Sequence, residues 1–72
     1  MPTFSVQYLG LNPPYHTDGI PKNVEADSIT GAVLAYNGDN EEEVLAGECY
    51  HVSLEPVVVE VESFTYKTVV PS

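Results

Sequence analysis

The stretch S-I-T-G-A-V-L-A-Y-N-G, running from Ser28 to Gly38, admits two readings, and the fold follows from the choice between them. As a helix it is capped by Asp27 or Ser28, and Ile29, Ala32, Val33 and Tyr36 then fall at i, i+3, i+4 and i+7, on one face. Asn37 and Gly38 supply the stop, because both tolerate the left-handed conformation that closes a helix. As a hairpin, the same Asn-Gly pair forms a tight turn between two apolar runs. Gly31 weighs on that side, since glycine costs about 1 kcal/mol inside a helix. The helical spacing predicts a helix over residues 28–37.

Working outward, residues 3–9 alternate, with Phe4, Val6 and Tyr8 on one side and Ser5 and Gln7 on the other, the period of a half-buried strand. Residues 10–21 hold three prolines, two glycines, Asn12 and Asp18, and read as a long surface loop. A short strand is expected over residues 22–26. After the helix, Asn40 can cap a single turn made by Glu41, Glu42 and Glu43, with Glu43 placed for a capping box. A direct entry into a strand is the other option there.

From Glu48 onward the pattern is β: residues 48–54, then 57–62 with Val57, Val59 and Val61 on one face, then 64–70 with Phe64, Tyr66 and Thr68. Pro56 separates the first two. The change of parity between Val61 and Phe64 requires a tight turn or a bulge at Glu62-Ser63. The expected architecture is α+β, a small antiparallel sheet of about four strands with one helix packed on one face, in a single domain spanning residues 1–72. The hairpin reading gives instead an all-β small barrel.

Charge sets the functional expectation. The 72 residues include 11 Asp and Glu against two lysines and no arginine, a formal net charge of −9. Four of the acids, Asp39, Glu41, Glu42 and Glu43, fall within residues 37–43. A hydrophobic content of 43%, with five Tyr and two Phe, argues for folding despite that charge. Self-repulsion then opposes the compact state, and added salt or a cationic partner relieves it.

A single cysteine, Cys49, excludes an internal disulfide and favours a reducing compartment. The N-terminal residues have neither the basic nor the apolar segment of a signal peptide, and no apolar run is long enough to span a bilayer. A cytoplasmic location is expected. With Met1 at one end and a terminal strand at the other, the chain reads as a complete short reading frame, a length common among phage and mobile-element accessory proteins.

No enzymatic constellation emerges. Cys49 and His51 share a strand face without an orienting group, and nothing in the spacing brings His16 and Asp18 to them as a zinc set. Asn37, Asp39, Glu41 and Glu43 alternate as oxygen donors, but the glycine is in the wrong place for an EF-hand loop. No cofactor is expected. Glu60 and Glu62 share the solvent side of an amphipathic strand.

The run Asp39, Glu41, Glu42, Glu43 has a plain reading, a solvated surface and a capped turn, and a sharper one, in which these acids, with some of Asp18, Asp27, Glu48, Glu55, Glu60 and Glu62, imitate nucleic-acid phosphate. An acidic surface suited to a salt-loving host competes with the second. Without arginine the chain is poorly equipped to hold phosphate, so the complement of its surface is a basic protein. Tyr15 and Asp18 lie in the proline-rich loop, where Tyr15 can act as an apolar anchor.

The profile is similar, as a class, to phage-encoded inhibitors of host defence, anti-CRISPR and anti-restriction proteins among them. The expectation is a non-catalytic inhibitor, monomeric or homodimeric, that occupies the basic groove of a host nucleic-acid-binding protein. The alternative is a virion or scaffold assembly protein whose acids serve only solubility and whose strand edges make the contact.

Overall fold

A computed structural model describes residues 1–11, 20–63 and 65–70. The chain forms β1 (Thr3–Leu11), β2 (Lys22–Glu25), α1 (Ile29–Tyr36), a 3-10 turn (Glu41–Glu43), β3 (Glu48–Val52), β4 (Val57–Glu62) and β5 (Thr65–Val69). The five strands make one antiparallel sheet in the order β2-β1-β3-β4-β5, open at both ends. The fold is therefore α+β, with five strands where about four were expected, and the barrel alternative is overturned.

The backbone at Asn37 explains why the helix prevails over the hairpin. A type I′ hairpin turn needs positive φ at both central residues, yet Asn37 sits at φ −94°. The positive values fall one residue later, 71° at Gly38 and 59° at Asp39. Gly38 N–H donates to Ala35 O at 3.1 Å and Asp39 N–H to Leu34 O at 2.7 Å. This pair of bonds is a Schellman closure, which satisfies the last helical carbonyls. At the other end Ser28 Oγ accepts from Gly31 N–H at 3.0 Å, the capping contact read from the sequence.

Burial follows the i, i+3, i+4, i+7 spacing. Ala32 and Val33 are fully buried, and Ile29 and Tyr36 pack on the same core. That core is the sheet face formed by Phe4, Val6, Val24, Tyr50, Val52, Val59 and Val61. Each fully buried valine contributes about 1.5–3 kcal/mol relative to exposure. The helix lies over β2, β1 and β3, and Val44, in the segment after the 3-10 turn, joins the same cluster.

The opposite face carries a smaller cluster of Leu9, Cys49 and Val58, with Val69 packed against it. Leu9 reaches that face just before an irregularity: Tyr8 pairs with Tyr50, but Gly10 pairs with Cys49. One extra residue is thus accommodated in β1, and Gly10 at φ 113° supplies the conformation that makes this cheap. At the β4–β5 junction, Glu62 stands opposite Thr65 and Ser63 has φ 42°, so the parity change is a tight turn. Phe64 lies outside the described residues. Among the described residues no helix is long and apolar enough to cross a membrane.

Candidate partner-binding site

Asp39, Glu41, Glu42 and Glu43 are all exposed, and local hydrogen bonds fix how they are shown. The helix closure sets Asp39, and Asn40 Oδ1 accepts from Glu42 N–H at 3.1 Å, so the asparagine caps the turn as expected. Glu43 N–H and Val44 N–H then donate to Asn40 O and Glu41 O at 3.1 and 3.2 Å. Val44 is buried just beyond. A short acidic span is therefore held between a helix closure and an apolar anchor rather than trailing as a tail.

Among the described residues, Glu25, Glu60 and Glu62 do not join this run. Glu60 and Glu62 alternate with Val59 and Val61 and so project from the sheet face away from the helix. Glu25 pairs with Thr3 at the far strand. Both lysines stand on outer strands, Lys22 in β2 opposite Val6 and Lys67 in β5 opposite Glu60. Tyr15 and Asp18, the other two candidate contact residues, lie outside the described residues, as does His16 of the zinc reading.

Glu48, read from the sequence as one of the surface acids that could act with the run, is instead buried. It opens β3 and is 8% exposed, and its Oε1 accepts from Leu45 N–H at 2.5 Å. That bond ties the segment following the acidic run to the sheet. Around it stand tyrosines: Tyr8 and Tyr50 ring centroids are 5.4 Å apart, and Tyr36 meets Tyr50 edge-on at 5.8 Å. Burial first, and then the Glu48 carboxylate, raise the phenol pKa of Tyr8. Tyr50 is also raised by burial and Glu48, while its bond to Asn37 pulls the other way.

Tyr66 on β5 connects this network to the acidic run. Its pKa is raised by burial and by the charges of Glu41 and Glu48, and its buried hydroxyl has no hydrogen-bond partner among the described residues. The 3-10 turn therefore lies close enough to β5 for Glu41 to be felt there. Leu45, two residues past the run, is 57% exposed.

Among the described residues no group of three or more His, Cys, Asp or Glu is gathered to hold a metal ion. Cys49 is buried with Leu9 and Val58 on the second sheet face, and its thiol lies 3.7 Å from Gly47 O. The chain matches no protein-family model, no curated protein and no solved structure.

Proposed function

We propose that this protein is a small non-catalytic inhibitor, of the anti-CRISPR or anti-restriction type and encoded by a phage or mobile element, acting on a host nucleic-acid-binding protein in the cytoplasm. It presents Asp39, Glu41, Glu42 and Glu43 to the basic groove of that partner in place of phosphate. The observation that supports the reading is the run itself, four exposed carboxylates within five residues, capped at Asn40 and anchored at Val44. Both lysines of the chain are on strands elsewhere. Fixed charge is worth more to a binding surface than the same charge on a mobile tail, because less ordering entropy is lost on contact.

The experiment replaces the four acids together, Asp39→Asn with Glu41→Gln, Glu42→Gln and Glu43→Gln, and measures capture of basic nucleic-acid-binding host proteins across a salt series. Affinity and its salt slope should both fall. Unchanged affinity and slope would remove the run from the binding surface.

A further inference from the structure

We propose that Asn37-Gly38 is a self-modification site gated by the fold: the closed helix end protects Asn37 from deamidation, and opening of that end admits a slow, one-way reaction. The reaction needs only water. Hydroxide removes the Gly38 N–H proton, the nitrogen attacks Asn37 Cγ, the Cγ–Nδ2 bond breaks, and the amide leaves as ammonia, taking a proton from water. Water then opens the succinimide so formed and leaves aspartate or isoaspartate at position 37. Gly38 suits the attacking role because it has no side chain to obstruct the ring. It is exposed, and nothing lies within 4 Å of a Cβ built there, so solvent has access to the bond.

The folded geometry blocks each part of that step. Ring closure needs Gly38 N eclipsed with Asn37 Cβ, and the near-helical backbone of Asn37, φ −94° and ψ 19°, turns the nitrogen away from it. The Gly38 proton is engaged, donated to Ala35 O at 3.1 Å. The Asn37 amide is held by Val33 O at 2.9 Å and Tyr50 Oη at 3.3 Å. Apart from the Tyr50 hydroxyl, these partners belong to the helix itself, so its end can open locally while the sheet stays folded.

The product cannot rebuild that end. A carboxylate at position 37 has no N–H to donate to Val33 O or Tyr50 Oη, and Tyr50 already meets the Glu48 carboxylate. It is also a negative charge at a helix C-terminus, where the dipole disfavours it, beside Asp39 in a chain of net charge −9. Isoaspartate adds a methylene to the main chain just before the Gly38 and Asp39 N–H groups that must reach Ala35 O and Leu34 O. Opening and reaction therefore reinforce each other. Asp39 belongs to this closure, so the fixed display of the acidic run is lost with it.

Ammonia release and peptide mass mapping of the full chain at mildly alkaline pH, folded and in denaturing urea, give the rates. Asn12, Asn23 and Asn40 precede Pro, Val and Glu and serve as internal references. Position 37 should deamidate in urea, and at least about tenfold more slowly in the folded chain, as for a reaction that passes through a minor open population. Tyr50→Phe should raise the folded rate and leave the urea rate unchanged. Val58→Ala, on the second sheet face, lowers overall stability without touching the Asn37 contacts and should raise the folded rate less. Asn37→Asp, the direct product, should melt below the wild-type chain. No reaction in urea, equal rates folded and in urea, or a Tyr50→Phe rate no faster than that of Val58→Ala would each overturn gating at the helix end. An Asn37→Asp chain as stable as the wild type would overturn the one-way consequence.

Discussion

The side-chain amide of Asn37 donates to Tyr50 Oη at 3.3 Å and to Val33 O at 2.9 Å. The residue that closes the helix thereby also holds the helix to the middle strand of the sheet, at the largest fully buried side chain of the core. Its capping geometry satisfies the local backbone, and its side chain satisfies a buried phenol.

Asn37→Ala should destabilise the fold by about 1–2 kcal/mol, since it removes two bonds and leaves the Tyr50 hydroxyl less well partnered. Tyr50→Phe should cost less in packing than in polarity. Combined in a double-mutant cycle read by urea unfolding, the two changes should show a coupling of about 0.5–1.5 kcal/mol. Strict additivity would mean that the contact contributes nothing.

Glu48 should matter more than its position at the start of a strand suggests. Glu48→Ala removes the acceptor of Leu45 N–H and the charge that faces Tyr8 and Tyr50, a loss of about 2–3 kcal/mol for a charge-assisted bond at a buried site. Glu48→Gln keeps a carbonyl acceptor and should recover most of it. Hydrogen exchange should locate the damage: the amides of residues 39–47 should exchange faster in Glu48→Ala, those of β4 much less.

The helix and the apolar faces of β1 and β4 were legible because their periods of 3.6 and 2 are carried by Ile29, Ala32, Val33, Tyr36, by Phe4, Val6, Tyr8 and by Val57, Val59, Val61. Asn37-Gly38 was ambiguous for a physical reason. The hairpin needs left-handed backbone at Asn37 and Gly38, the helix closure takes it at Gly38 and Asp39, and a single Asn-Gly dipeptide suits either. The irregularity at Leu9 and Gly10 gave no local signal, because a glycine ending an alternating run also reads as the end of the strand. The burial of Glu48 was missed because a glutamate reads as solvent-facing unless its partners, Leu45 N–H and tyrosines from distant strands, are known. Of the candidate site, the exposed and capped run 39–43 was readable. Its closeness to Tyr66 was not, since that depends on long-range pairing.

Alkaline pH should unfold the protein through its tyrosines. Tyr8, Tyr50 and Tyr66 each have a folded-state pKa above that of an unfolded phenol, which is about 10. The folded state thus keeps these protons more tightly than the unfolded chain. The stability they contribute is complete below a pH of about 10 and is lost as pH rises from there toward the folded values. Chemical denaturation across this range, followed with tyrosinate absorbance, should show stability falling as the phenols ionise. Tyr66→Phe removes a buried hydroxyl that has no hydrogen-bond partner among the described residues, and should make that fall shallower.

The acidic run should also be visible in stability. Neutralising Asp39, Glu41, Glu42 and Glu43 to Asn and Gln relieves repulsion within a chain of net charge −9. The expected outcome is a higher Tm at low salt and a smaller rise in Tm with added salt than in the wild-type chain. Scanning calorimetry at two ionic strengths checks it, and equal salt responses would show that the repulsion is carried by other acids.

Gly31 gives the most direct test of why this stretch is a helix. It lies in the first turn, where its N–H donates to Ser28 Oγ, a bond that any residue but proline can make. A Cβ added there would meet Ala26 Cβ and Ser28 Oγ at 3.4 Å, at the near limit of ordinary contact. The helical φ imposes no need for glycine, so Gly31→Ala should gain helix propensity and reduce the freedom of the unfolded chain, together about 0.5–1 kcal/mol of added stability. A few tenths of an ångström of movement at exposed Ser28 would absorb the contact. If the variant is instead destabilised, the approach of Ala26 to the helix is rigid, and Gly31 is present because the strand-to-helix turn leaves no room for a methyl group.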